Sequence, residues 1–162
     1  MFFAVNAYAQ HPGGWGVGGV VQYNLPWDGF DGHIAAAISL KVPQLPIYWG
    51  LNFTFPRNAF STRATADYYL MDFSNSTGDT GFFAGFGGYF GFYSEKSRTS
   101  IAFGPRFPIG FYTIRFGIFE IFLSLTPSLG VDIRFGDFPG KSFTFPNFFL
   151  GADLGVRMWI GS

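Results

Sequence analysis

Cysteine is absent from this chain, which removes disulfide frameworks and thiolate metal sites while leaving the compartment open. Charge is scarce as well. Charged residues make up 12% of the 162 positions, against about 25% in an ordinary soluble domain. The formal net charge is zero, so the basic footprint of a nucleic-acid binder is missing and no such partner is expected. No run approaches the roughly 18 apolar residues of a membrane helix. Helical spanning is therefore excluded. Histidine is limited to two residues, His11 and His33, which leaves little material for acid–base chemistry.

What is abundant is aromatic and minimal side chains together: 22% aromatic, with 24 Phe and 23 Gly. Bulky apolar groups mixed with glycine suit a curved sheet whose two faces have very different room. The pattern is clearest over residues 120–135. There Ile121, Leu123, Leu125, Leu129, Val131 and Ile133 share one face, and Glu120, Ser124, Thr126, Ser128, Gly130, Asp132 and Arg134 share the other. A period of two makes this a strand with unlike faces. It exceeds the five or six residues usual in soluble sheets and reaches the roughly 9–11 tilted residues that cross a bilayer. A closed barrel is the non-helical way to satisfy every backbone group in lipid. The expected fold is all-β, an eight-stranded antiparallel up-and-down transmembrane barrel of about a dozen residues per strand.

Strands are expected near residues 13–23, 30–42, 47–55, 60–72, 80–93, 98–107, 120–135 and 148–160, with 108–118 a longer turn or a short helical piece. A soluble lipocalin-type barrel would share the alternation. Volume opposes it, because on the order of thirty large side chains cannot fill an interior wide enough only for layers of a few residues. The apolar face is placed toward lipid and the polar face in the lumen. That puts Lys41, Arg63, Asp67, Arg106, Glu120, Asp132, Arg134, Asp153 and Arg157 inside as a polar network. Buried charges must pair: Glu120 is expected to bridge Arg106 or Arg157, with Asp153 sharing Arg157. Inner glycines should leave room for Tyr48, Tyr69 and Tyr89 along the lumen wall.

An even strand number places both termini on the periplasmic side, and the segments near 24–32, 56–59, 94–97 and 136–147 outside. Trp27, Phe30, Phe138 and Phe143 make the first and last of these loops apolar, as a binding surface or as an interfacial aromatic belt. Residues 1–9 end in Ala7-Tyr8-Ala9, a small-x-small pattern. They read either as the tail of an export signal with Gln10 as the mature start, or as a mobile arm. The barrel is a single domain over residues 10–162.

Several segments carry a family resemblance: Leu-Lys-Val-Pro-Gln-Leu-Pro-Ile-Tyr-Trp-Gly at 40–50, Asp-Tyr-Tyr-Leu at 67–70, Phe-Gly-Pro-Arg-Phe-Pro-Ile-Gly at 103–110, Thr-Pro-Ser-Leu-Gly at 126–130 and Val-Arg-Met-Trp at 156–159. They resemble a spirochaetal family of small outer-membrane barrels of unsettled function. More broadly the chain resembles eight-stranded barrels of the OmpA and OmpX type. The departure is the C-terminus, which ends Trp159-Ile160-Gly161-Ser162 rather than on an aromatic. The resemblance implies an outer-membrane location, lipid as the surrounding partner and no cofactor.

Two function classes follow. One is a non-catalytic, monomeric barrel with a plugged lumen, structural in role or offering its short loops to an external protein. The other is a lipid-active barrel enzyme using His33, with Asp31 two residues away but no identifiable partner serine. A narrow pore is a third reading. Glycine runs at 16–19 and 85–88 lie within strands and so make no phosphate loop, and the carboxylates show no metal-loop spacing.

Overall fold

A computed structural model describes residues 13–26, 33–54, 59–137 and 142–161. Every regular element among the described residues is a strand: β1 Trp15–Pro26, β2 His33–Lys41, β3 Ile47–Thr54, β4 Phe60–Ser74, β5 Thr80–Glu95, β6 Arg98–Arg106, β7 Ile109–Arg115, β8 Phe119–Gly136 and β9 Phe143–Ile160. All pairings are antiparallel, and strands adjacent in sequence pair with each other except β6 and β7. The ring closes where β1 meets β9, with Trp15 opposite Ile160 and Gly18 opposite Arg157.

The strands β6 and β7 occupy one place in that ring. The first lies between β5 and β8 over 87–95 and 128–136, the second between the same two strands over 80–84 and 119–125. They run end to end, so the nine strands make an eight-membered barrel. Pro105 and Pro108 explain the break, since neither supplies a ladder N–H. Hydrogen bonds carry the sheet across it: Phe107 N–H donates to the Pro127 carbonyl, and Gly85 N–H to the Pro108 carbonyl, both at 2.9 Å.

This corrects the expected turn or helical piece at 108–118. Most of it is strand, and the reversal takes only Phe116 and Gly117, with φ of 55° and 69° and an Ile118 N–H to Arg115 carbonyl bond of 3.3 Å. Positive φ at both central residues is the type I′ turn that matches strand twist. The last strand also begins earlier than expected, at Phe143 rather than near 148, which shortens the loop assigned to 136–147.

Both described ends of the chain and the turns at 42–46, 75–79 and 116–118 lie at one end of the barrel, the terminus end. The connections from β1 to β2, β3 to β4, β5 to β6 and β8 to β9 lie at the other, the loop end. Residues 1–9 lie outside the described residues, as do Trp27, Phe30 and Phe138.

Side chains follow the expected alternation. Along β8, Glu120, Phe122, Ser124, Thr126, Ser128, Gly130 and Asp132 are buried while Ile121, Leu123 and Leu125 are exposed. One bulge resets it. Leu70 has no partner between the Tyr69–Gly85 and Met71–Ala84 pairs, so Leu70 and Met71 both face out and Asp72 turns inward and is buried. An extra residue on one strand shifts every later side chain to the other face.

Candidate functional site in the barrel lumen

Toward the terminus end the lumen holds a charge pair set among rings. Arg157 Nη1 donates to Glu120 Oε1 at 2.7 Å, and the Trp159 indole N–H donates to Glu120 Oε2 at 2.7 Å. The register produces this directly, because β8 and β9 set Glu120 opposite Arg157. Arg157 also donates to Ser39 Oγ at 3.0 Å, and its guanidinium lies 4.8 Å from the ring centres of both Tyr48 and Phe122. Cation–ring attraction and charge-assisted hydrogen bonds thus act on one side chain.

Beside this pair lies an apolar cluster that the sequence reading did not foresee: Phe83, Tyr112, Ile114 and Phe122, with Val20 and Tyr69 packed against it. The rings continue as a stack. Tyr48 and Tyr69 stand 4.0 Å apart and Tyr69 and Phe83 4.3 Å apart, nearly parallel. Glycine makes room for them, since a Cβ on Gly155 would strike the Phe122 ring and one on Gly110 the Phe83 ring. Tyr112 donates its hydroxyl to Asp72 at 3.0 Å, which gives the bulge-turned carboxylate a partner.

At mid-lumen Arg106 stands between two carboxylates, Asp67 at 3.1 Å and Asp153 at 3.6 Å. The contact with Asp67 is one of charge, without hydrogen-bond alignment. Asp153 is further held by the Gln22 amide and by the hydroxyls of Ser124 and Thr126 at 3.3 and 3.4 Å. Gln22 in turn accepts from Asn52 at 2.6 Å. Asn24 donates to Gln22 at 3.4 Å, and Arg63 donates to Asn24 at 3.0 Å. One chain of polar contacts therefore runs from Asp67 through Arg106, Asp153, Gln22 and Asn24 to Arg63.

Of the expected pairings, Glu120 with Arg157 is present. Asp153 pairs with Arg106 and not with Arg157, whose guanidinium is engaged by Glu120 and Ser39. Asp132 and Arg134 pair with each other on the same strand at 2.7 Å. Lys41 makes no described ion pair; its ammonium donates to the carbonyls of Val42 and Leu45 at 2.8 and 2.7 Å. Among the apolar loop candidates, Phe143 is exposed at the start of β9. His33 opens β2, and its side chain lies outside the described residues.

Uncharged polar groups were the larger omission. Gln22, Ser39, Asn52, Thr126 and Trp159 all join the network, and each sits at the parity of an inward position. Their alternation was visible in the sequence; their part in binding the ions was not, because it depends on which strands face each other across the lumen.

No family model matches the chain and no curated protein matches it, so the spirochaetal resemblance finds no support there. Among solved structures it is similar to Neisserial surface protein A, at 15% identity over 92% of this chain and 98% of that one, with a TM-score of 0.49. It is also similar to the N-terminal β-barrel domain of Pseudomonas aeruginosa OprF, at 12% identity over 88% of this chain and 96% of that one, with a TM-score of 0.47.

Proposed function

We propose that the chain is a small integral outer-membrane β-barrel with a plugged lumen, structural in role or presenting its loops to external partners, and not catalytic. One observation carries the reading: the polarity of the fold is inverted. Ile34 is 69% exposed, Leu123 55% and Leu154 56%, on three different strands, while Glu120 and Arg157 are each 1% exposed. Water would meet a band of apolar side chains around the ring, far beyond the few hundred Å² usual on a soluble monomer, and only hydrocarbon suits such a surface. The closed ring of eight sets both described ends of the chain on one side, which supports a periplasmic position for both, as expected of barrels of this class. The paired ions and stacked rings support a closed interior.

Refolding tests this. The chain should fold in micelles or phosphatidylcholine vesicles to a strand-rich form whose gel mobility changes on boiling, and should resist extraction from the vesicles by urea. A monodisperse folded protein in buffer without detergent would overturn the reading.

A further inference from the structure

The lumen is not filled evenly. Beside Asp67, Arg106 and Arg157 the free space is about 50 Å³, whereas toward the loop end the wall opens into a cavity of about 200 Å³. Asn24, Asn52, Thr54, Ser61 and Tyr93 line it, and Arg63 is the one charged side chain among its described lining residues. At about 30 Å³ per water, this space holds several waters or one small polar molecule.

Arg63 differs from the other guanidinium groups of the lumen. Arg106, Arg134 and Arg157 each meet a carboxylate; Arg63 meets none among the described residues. It donates one hydrogen bond, to Asn24, and its guanidinium lies 4.5 Å from the Phe149 ring centre and 5.5 Å from that of Tyr89. Arginine carries five N–H donors, so most of this fork lacks a protein acceptor at the described residues. The two rings and Asn24 fix its position. A half-buried cation without a counter-charge is costly, and the partner that suits a planar fork is a carboxylate or phosphate. The carboxamides and hydroxyls around it match a hydroxylated body. Glu95, which accepts from Tyr93 at 2.7 Å, sets a negative charge beside the cavity, so a singly charged carboxylate should bind more tightly there than a phosphate monoester, which carries close to two charges at neutral pH.

We propose that this cavity binds a small hydroxylated oxyanion, a sugar bearing one carboxylate or phosphate, with Arg63 as its counter-charge. The inference needs only the barrel interior, so it stands or falls apart from the lipid reading of the exterior. A free sugar acid and the sugar-phosphate headgroup of a glycolipid offer the same chemistry.

The test is calorimetric titration of the refolded full chain in a polyoxyethylene detergent, with glucuronate, glucose 6-phosphate and neutral glucose as probes. Saturable one-site binding of glucuronate is expected, with glucose weaker by about tenfold or more, since a charged hydrogen-bond partner is worth at least that ratio. Arg63→Gln should lose about tenfold or more while keeping its heat-modifiable fold, and Arg63→Lys should keep part of the affinity. Should Arg63→Gln fail to fold, the contrast between glucuronate and glucose in the parent still decides. The proposal is overturned if neither anion gives saturable heat, if glucose binds as well as glucuronate, or if a folded Arg63→Gln binds unchanged. Repeating the titration in phosphatidylcholine nanodiscs with and without lipid A separates the sources. Weaker apparent binding in the presence of lipid A assigns the headgroup, and unchanged binding assigns the free solute; both outcomes keep the site.

Discussion

Glu120 is the residue on which the terminus end of the lumen depends, because it answers two donors at once while only 1% exposed. Changing Glu120 to Gln keeps an acceptor for Trp159 but leaves Arg157 charged, enclosed and unmatched. Removing one member of a buried ion pair costs about 3–5 kcal/mol, and urea unfolding in vesicles should show a loss of that order. Asp132→Asn is the contrast. Its partner Arg134 is a third exposed in its side chain, so screening should hold the loss to about 0–1 kcal/mol. Equal losses at the two sites would mean that the interior is solvated throughout. Parity alone placed Glu120, Arg157, Asp153 and Arg106 inside. The contact of Glu120 with Arg157 was among those expected, whereas that of Asp153 with Arg106 was not legible, since Arg106 reaches Asp153 from a strand that never pairs with β9.

At the scale of the strand, the same alternation that buries Ser124 exposes Leu125. Leu125→Arg should cost about 2–4 kcal/mol of folding in bilayers if its face meets hydrocarbon near mid-depth. Ser124→Ala removes one long hydrogen bond to Asp153 and should cost about 1 kcal/mol. Comparable losses would refute the assignment of faces. Gly87 tests the inner surface, because a Cβ there would meet the Ala66 carbonyl and the Asp67 carboxylate. Gly87→Leu should therefore reduce refolding yield more than Phe86→Leu, whose ring faces outward. The turn between β7 and β8 offers a gain instead. Phe116 is 92% exposed and holds a left-handed φ, a conformation that asparagine before glycine adopts readily, so Phe116→Asn should stabilise by about 1 kcal/mol. An unfolding midpoint that falls would show that the ring itself anchors the turn. Residues 108–118 escaped the sequence reading for a physical reason: Ile109 and Phe111 face out while Tyr112 and Ile114 face an apolar patch inside, so both faces are apolar and the two-residue contrast disappears. The Leu70 bulge was hidden likewise, although two large apolar residues followed by Asp72 are its trace.

At the scale of the whole molecule, the question is whether eight strands enclose a channel or a core. The described lumen holds, toward the terminus end, Glu120 with Arg157 and beside them the stacked Tyr48, Tyr69 and Phe83 rings, and at mid-lumen Arg106 between Asp67 and Asp153. The interior expected of eight strands is narrow enough for such side chains to fill it. The larger cavity bounded by the described residues opens toward the loop end and is lined at its inner side by the Gln22 and Asn52 carboxamides. An ion crossing the barrel would have to displace the Arg106 bridge and then the Arg157 pair. Neither can swing aside without leaving a buried charge alone. Planar-bilayer recording of the refolded parent should accordingly show no reproducible stepwise conductance. Arg106→Ala and Asp67→Ala together remove the central obstacle and both charges of that pair, leaving Asp153 on its Gln22, Ser124 and Thr126 donors, yet the Arg157 pair remains, so this variant should stay silent too. Adding Glu120→Ala and Arg157→Ala should open a wet path, and conductance should then appear in chains that still show the heat-modifiable fold. Steps of equal size in the parent and in the fourfold variant would mean that ions pass by another route and that the layered lumen is not the barrier.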